Sequence, residues 1–235
     1  MNLDLRQRLS AIGHADLPVC NPASLADLDR LGDRIPAGSR ALDLACGRAD
    51  VLARLARRRG ITGVGVDRSR PFLDAARSRA AGLPIELVEA DVHGWTSDAT
   101  FDVVLCLGGP WERIDDAWSA ARPHLRPGGL LLWGGPFWER APSPSWRSYL
   151  GDPSFHSADD LLAPPRRALD HAVTSQEDWD RYEDGYAAAI ERHAAQHPDD
   201  PDAAAMLAHV RAWRAAWLAG GRGVLGFALV LLVDG

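Results

Sequence analysis

Lysine is absent from this sequence of 235 residues, and all 26 basic residues are arginine. A chain without lysine cannot form a lysine Schiff base, which excludes that class of enzyme mechanism. Cysteine is scarce as well: Cys20, Cys46 and Cys106 are odd in number and lack the spacing of metal ligands. We therefore expect reduced core cysteines, no metal site and a cytoplasmic location.

Long apolar runs and clusters of positive charge are also missing. The longest apolar stretch, residues 224–233, is too short to span a membrane, and the polar N-terminus resembles neither a signal peptide nor a transit peptide. The net charge is −6 and the arginines are scattered, which argues against nucleic acid as a partner. Hydrolase, kinase and metalloenzyme motifs are lacking too.

Residues 39–55 are the most informative stretch that is present. They read as a short buried strand, a tight turn on Gly47 and an amphipathic helix over residues 50–59. A turn of small residues lets backbone amides approach a ligand closely, and the following helix offers free N–H groups. The spacing predicts a nucleotide site that differs from the G-x-G-x-x-G of dinucleotide folds, since it reads Asp43-x-Ala45-x-Gly47-x-Ala49.

Alternating strands and helices follow this stretch. An acidic residue, Asp67, ends the second strand about 20 residues after the turn, which is where a carboxylate binds ribose hydroxyls or caps the next helix. Two helical pieces within residues 1–38 are predicted to cross the mouth of the sheet, with His14 and Asn21 near the break between them. The proline-rich residues 141–165 predict a lid or loop. Predicted strands cover residues 41–44, 61–67, 84–91, 100–108, 125–133, 167–175 and 223–233, and later helices cover 69–81, 113–124, 176–197 and 203–218.

Five ordered segments over residues 40–133 resemble class I S-adenosylmethionine (SAM) methyltransferases: LDLACGRAD, GVGVD, EAD, FDVVLCLGG and LRPGGLLLW. The resemblance implies an α/β, Rossmann-like sheet of seven strands, the last antiparallel, with a helical insertion before that strand. It implies SAM as the cofactor, with its methionine part at the turn, its ribose at the second strand and its adenine after the third. The cofactor-binding residues that it implies are Asp43, Ala45, Gly47, Asp67, Arg68, Asp91, Val92 and Leu107.

A single methyltransferase domain over residues 1–235 is expected. It would consist of an N-terminal helical cap (1–38), a SAM-binding half (39–135), an acceptor-side lid with a helical insertion (136–222) and the last strand (223–235).

Aromatic residues concentrate in the second half of the chain, where eight of nine tryptophans follow residue 107. Aromatic walls can hold an apolar or cationic methyl acceptor, although most tryptophans are expected to build a core. We predict substrate contacts for Trp138, Tyr182 and Tyr186. Catalytic roles are predicted for His14, Trp111 and His156, each of which could instead be a packing or surface residue.

The segments GPFW, EDWDRYE and HPDD are similar to a poorly characterised subgroup of bacterial small-molecule methyltransferases, which carry a glutamate at the position of Gly135. The resemblance implies methyl transfer to a small molecule, and we expect a role in specialised metabolism. A homodimer or a complex with a partner subunit is left open. Two alternatives stay open, because Gly135, Ala45 and Ala49 depart from the family pattern. They are non-methyl chemistry on the same fold, such as elimination or cyclisation, and a catalytically silent partner subunit.

Overall fold

A computed structural model describes residues 3–162 and 167–233. Three short segments lie outside the described residues. They are residues 1–2 of the predicted cap, residues 163–166 of the predicted lid and residues 234–235 after the last predicted strand. Within the described ranges, no helix has both the length and the apolar character needed to cross a bilayer.

Helices and strands alternate through most of the described chain. The helices are α1 Leu3–Gly13, α2 Leu25–Gly32, α3 Asp50–Arg59, α4 Arg70–Ala80, α5 Ile114–Ala121, α6 Pro144–Tyr149, α7 Ala158–Leu161, α8 Gln176–Gln196 and α9 Ala203–Ala216. The strands are β1 Arg40–Leu44, β2 Thr62–Asp67, β3 Ile85–Glu89, β4 Phe101–Leu107, β5 Leu125–Trp138, β6 Ala168–Val173 and β7 Leu225–Val233.

The described strands form one sheet of seven in the order β3-β2-β1-β4-β5-β7-β6. Strands β1 to β5 pair in parallel, whereas β7 runs antiparallel to both β5 and β6. The predicted seven-stranded sheet with an antiparallel last strand is therefore confirmed. Helices α8 and α9 precede β7, which confirms the helical insertion as well.

Apolar layers cover both faces of the sheet. Because side chains alternate along a strand, Leu105 of β4 packs with α2 and α3 on one face, while Val104 and Cys106 pack with α5 on the other. Parallel strands that are buried on both faces read as continuous apolar runs, which is why β4 could be predicted from its composition.

Strand β6 forms one edge of the sheet. Arg30 of α2 lies against this edge, where its guanidinium donates to Asp170 Oδ1 (2.7 Å) and to the backbone oxygen of His171 (2.8 Å). The N-terminal cap therefore touches the sheet edge as well as its mouth.

The structure adds detail to two sequence-based expectations about the second half. The described part of residues 141–165, predicted as a lid or loop, contains α6 and α7, each capped by a serine side chain, Ser143 and Ser157, that accepts a backbone N–H from the first turn. A role of this segment as a lid stays a prediction. Strand β5 continues beyond the predicted residue 133 to Trp138, because Gly134 and the residues after it pair with β7. Gly134, Gly135 and Pro136 therefore belong to the strand, because each of them pairs with a residue of β7.

Candidate active site

A cavity of about 440 Å³ opens at the carboxyl ends of β1, β2 and β4, the edge of an open α/β sheet where ligands bind. The structure brings all the predicted cofactor-binding residues to the wall of this cavity. Their contact with a cofactor stays a prediction. They are Asp43, Ala45, Gly47, Asp67, Arg68, Asp91, Val92 and Leu107.

The turn after β1 contains three residues with left-handed backbone. The angle φ is 61° at Ala45, 53° at Gly47 and 56° at Ala49, and the Ala49 N–H donates to the Cys46 oxygen (2.8 Å). Left-handed φ is free for glycine but costs alanine about 1–2 kcal/mol. The two alanines thus adopt a backbone that suits glycine, so the turn keeps its shape at a cost in strain.

Asp67, at the end of β2, is buried and ties the turn to the next helix. One carboxylate oxygen accepts the Gly47 N–H (2.8 Å) and the other accepts the Ser69 N–H (2.7 Å) at the N-cap of α4. Each oxygen keeps a further lone pair. The same side chain can therefore hold the turn and accept hydroxyl donors from a ligand.

Asp43, on β1, is a buried carboxyl group facing the same cavity. Burial, reinforced by the negative charges of Asp67 and Asp50, raises the pKa of Asp43 to about 8. A cationic ligand group in the cavity would offset this cost by favouring the carboxylate. The wall of the cavity is therefore suited to a ligand that carries positive charge.

The far end of the cavity, after β3, is more open. Exposed Asp91 accepts the His93 N–H (3.0 Å) and lies 3.5 Å from Arg68 Nη1, and these contacts, the His93 N–H first, lower the pKa of Asp91. The ring of His93 meets Trp111 edge to face at 5.8 Å between centroids. Trp111 thus stands beside this end of the cavity, and it is not among the described residues that line it.

Helix α1 covers the cavity with one face, on which Arg6, Gln7 and Ser10 are spaced at helical intervals. Arg48, which is only 2% exposed, holds the chain that follows α1. Its guanidinium donates to the backbone oxygens of residues 14, 15 and 17 and to the carboxylate of Asp50. Every guanidinium hydrogen is thereby used, and the cap is joined to the turn after β1.

His14 lies on the cavity wall and is hydrogen-bonded through both ring nitrogens. Its Nδ1 is 2.7 Å from the backbone oxygen of Ser10, and because that oxygen can only accept, Nδ1 carries the ring hydrogen. Nε2 accepts a hydrogen bond from the Tyr182 hydroxyl (2.9 Å). Burial, opposed in part by the Ser10 bond, lowers the pKa of His14 to about 4. The ring of Tyr186 packs on His14 at 5.0 Å. The structure thus groups three predicted residues, His14, Tyr182 and Tyr186.

Trp138 and His156 lie elsewhere. Trp138 packs on Phe155 at 5.2 Å, and its backbone N–H donates to the His156 oxygen (2.8 Å). His156 is buried, with Nε2 3.7 Å from a carboxylate oxygen of Asp115. Neither residue is among the described side chains that line the cavity.

Sequence reasoning missed several residues of this site. Arg48 had no distinguishing signal among 26 arginines, and Phe72, Ser69 and Cys20 line the cavity although nothing in their local pattern points to it. Among the described residues, no group of three histidine, cysteine or acidic side chains is placed to hold a metal ion.

Comparison with known proteins agrees with the fold. A family model described as "Methyltransferase domain" matches residues 41–129, the part of the chain that builds most of the cavity wall. The uncharacterized protein YjhP of Escherichia coli K12 is 30% identical over an alignment of 223 positions that covers 86% of this chain and 88% of YjhP. The chain belongs to the class I SAM-dependent methyltransferases.

Two solved structures are similar over almost the full length. A SAM-dependent methyltransferase from Thiobacillus denitrificans, in complex with S-adenosyl-L-homocysteine (SAH), is 27% identical with a TM-score of 0.87 and covers 97% of this chain and 98% of its own. A SAM-dependent methyltransferase from Geobacter sulfurreducens, also in complex with SAH, is 27% identical with a TM-score of 0.88 and the same coverage. SAM is the cofactor of this family.

Proposed function

We propose that the protein transfers the methyl group of SAM to a small-molecule acceptor, in specialised metabolism and in the cytoplasm. One observation carries the proposal: three acids at the ends of successive strands, Asp43, Asp67 and Asp91, meet in one cavity with the turn after β1. The SAH complexes of the two related methyltransferases support it. The cover formed by α1 favours a small acceptor, because a macromolecule would have to displace that helix.

The residues present fit the cofactor. A buried carboxyl at Asp43, whose pKa is raised to about 8, suits a cationic group, and Asp67 retains lone pairs for ribose hydroxyls. The exposed carboxylate of Asp91 and the neighbouring Val92 line the end of the cavity where the adenine is expected.

SAM supplies an electrophilic methyl group on a sulfonium. The protein's contribution is then mainly alignment, since an in-line displacement gains most from proximity and orientation. Neutral His14, with both ring nitrogens hydrogen-bonded, is suited to orienting Tyr182 and the cap. With its pKa lowered to about 4, it is a weak base at neutral pH, which favours an acceptor atom with a free lone pair over one that must lose a proton.

Isothermal titration calorimetry with SAM and SAH tests the cofactor assignment. We expect binding by the wild type and a loss of about 50-fold or more in Asp67→Ala, because hydrogen bonds to a charged group are each worth about 1.5–3 kcal/mol. Asp74→Ala is the matched control, since Asp74 is an exposed acid on α4 that pairs with Arg77 on the same helix. A wild type that binds neither compound would refute the proposal.

The mass of the product tests the chemistry, because methylation adds one methylene unit whereas elimination or cyclisation does not. Light scattering with analysis of co-purifying chains tests the silent-subunit alternative, which requires a stable partner.

A further inference from the structure

A second cavity, of about 250 Å³, lies between residues 17–25 and the first turns of α8. Its wall is mainly apolar, with side chains such as Leu17, Val19 and Pro22. Two charged residues stand at it, Asp178 and Arg181, and they form an ion pair with one another. The wall therefore offers no unpaired charge of either sign among the described residues, which suits an uncharged ligand.

Asn21 lies between this cavity and the cofactor cavity, and it is the one described residue that lines both. A Cβ built on Gly108, the residue that follows β4, would be 3.9 Å from the Asn21 Cβ. The two cavities thus share the Asn21 side chain, near the carboxyl end of β4. A molecule in the second cavity could therefore contact the same side chain that faces a ligand bound in the first.

The Asn21 side chain has unused hydrogen-bonding capacity at this junction. It is only 7% exposed, and its Oδ1 accepts the Ala23 N–H (3.0 Å). Its Nδ2 has no acceptor within the described part of the chain and is not fully buried, so its two hydrogens are accessible to a ligand. A ligand oxygen between the two cavities would satisfy it.

The other polar group at the junction is already engaged. Tyr182 lines the second cavity, and its hydroxyl donates to His14 Nε2 (2.9 Å), which lines the first. Because His14 Nδ1 carries the ring hydrogen and donates it to the backbone oxygen of Ser10, Nε2 is an acceptor. The hydroxyl hydrogen of Tyr182 is therefore used in the bond to Nε2. Between the two cavities, the Asn21 amide is therefore the side-chain donor that remains for a ligand among the described residues.

We propose that the second cavity holds the methyl acceptor, an uncharged and largely apolar small molecule, and that Asn21 anchors it by donating from Nδ2 to one of its oxygens. This inference rests on the proposed function, because it requires a methyl acceptor.

Benzamide is a suitable probe, since it combines an apolar ring with a carbonyl oxygen; benzoate and benzylamine are its charged counterparts. With the protein saturated with SAH, we expect benzamide to shift amide NMR signals of residues 17–25 and 178–182. Benzoate and benzylamine should bind at least about fivefold more weakly, because burying a charge without a partner is costly. Benzamide shifts confined to other regions would overturn the proposal.

Two variants locate the contact. Asn21→Leu keeps the side-chain volume without the donor, and we expect its affinity for benzamide to fall about fivefold, the usual effect of one neutral hydrogen bond. Ala23→Leu places a larger side chain at the wall of the cavity and should also weaken binding. Benzamide binding by folded Asn21→Leu that equals the wild type would overturn the role of Asn21. If either variant fails to fold, the wild-type NMR map decides. Failure of SAH itself to bind would instead contradict the proposed function.

Discussion

Residues 39–135 bring their polar side chains to one cavity through the ends of strands, whereas residues 136–222 use comparable side chains to pack helices on the sheet. In the first region, Asp43 and Asp67 end neighbouring strands and face the cavity. In the second, Glu183 accepts the indole N–H of Trp213 (2.8 Å) inside a group of tryptophans. Strand order alone brings the acids of the first region together, whereas the polar groups of the second region are placed by the way its helices pack.

The largest effect on stability is expected at Arg48, which joins the N-terminal cap to the turn after β1. Arg48→Met should lower the free energy of unfolding by about 3–5 kcal/mol, because it leaves the buried backbone oxygens of residues 14 and 17 without their donor. It also removes Arg48 from the buried carboxylate of Asp50, which then keeps only its contacts with Arg79 and Cys20 among the described residues. Chemical denaturation measures this loss, and limited proteolysis should show faster cleavage before residue 24.

Arg54→Met is the matched control. Arg54 also pairs with an aspartate, Asp29, but both side chains are partly exposed, so the loss should be at most about 1 kcal/mol. Equal losses in the two variants would show that burial of the Arg48 guanidinium is not what holds the cap.

The next effect is expected at Gly135, on the border between the two regions. A Cβ at Gly135 would lie 2.2 Å from the ring of buried Trp133, so Gly135→Ala should cost about 1–3 kcal/mol through overpacking. Gly94→Ala, where a Cβ meets nothing within 4 Å, should be nearly neutral in the same denaturation measurement. A harmless Gly135→Ala would mean that Trp133 moves aside readily, and that a glutamate could be accommodated there.

The buried acid of the second region, Glu183, should make the free energy of unfolding depend on pH. Burial, opposed by the Trp213 hydrogen bond, raises the pKa of Glu183 to about 7, so the folded protein holds this proton more tightly than the unfolded chain. The stabilisation of the folded state that comes from protonated Glu183 is complete below about pH 4.5 and is lost as the pH rises through 7. Glu183→Gln should therefore stabilise the protein relative to the wild type at pH 8.5, by on the order of 2 kcal/mol.

The comparison between variant and wild type should be made at pH 5 and pH 8.5 by chemical denaturation. His14, whose pKa is lowered to about 4, destabilises the folded state as the pH falls below 6.5, but it does so equally in both proteins and cancels. Glu191→Gln, an exposed substitution on the same helix, is the control. A constant difference across this pH range would contradict the raised pKa.

The smallest effect lies in the cofactor region. Ala45→Gly should stabilise the protein by about 1 kcal/mol, because it relieves left-handed backbone strain at φ 61°. Ala53→Gly, within helix α3, should destabilise it by about the same amount or more. If both substitutions destabilise in urea titrations, the turn is not strained at Ala45.

The sequence predicts the cofactor region well because its signals are local. Helix α3 begins at Asp50 and ends at Arg59 as expected, where Gly60 takes a left-handed φ of 65°, and the strand-end acids follow from strand spacing. Arg48 could not be predicted, because its acceptors at residues 14–17 are 31 to 34 positions away. For the same reason, no local pattern reveals that His156 faces Asp115.

The contact of Arg30 with β6 has a consequence for self-association. An edge strand with free carbonyl groups is a template for pairing with another chain, and Arg30 occupies the carbonyl of His171 as well as the neighbouring Asp170. Helix α2 therefore covers part of the edge strand β6, while α1 covers the cavity. A protein shortened past α2 would expose this template, and its tendency to aggregate would rise independently of any change in ligand binding.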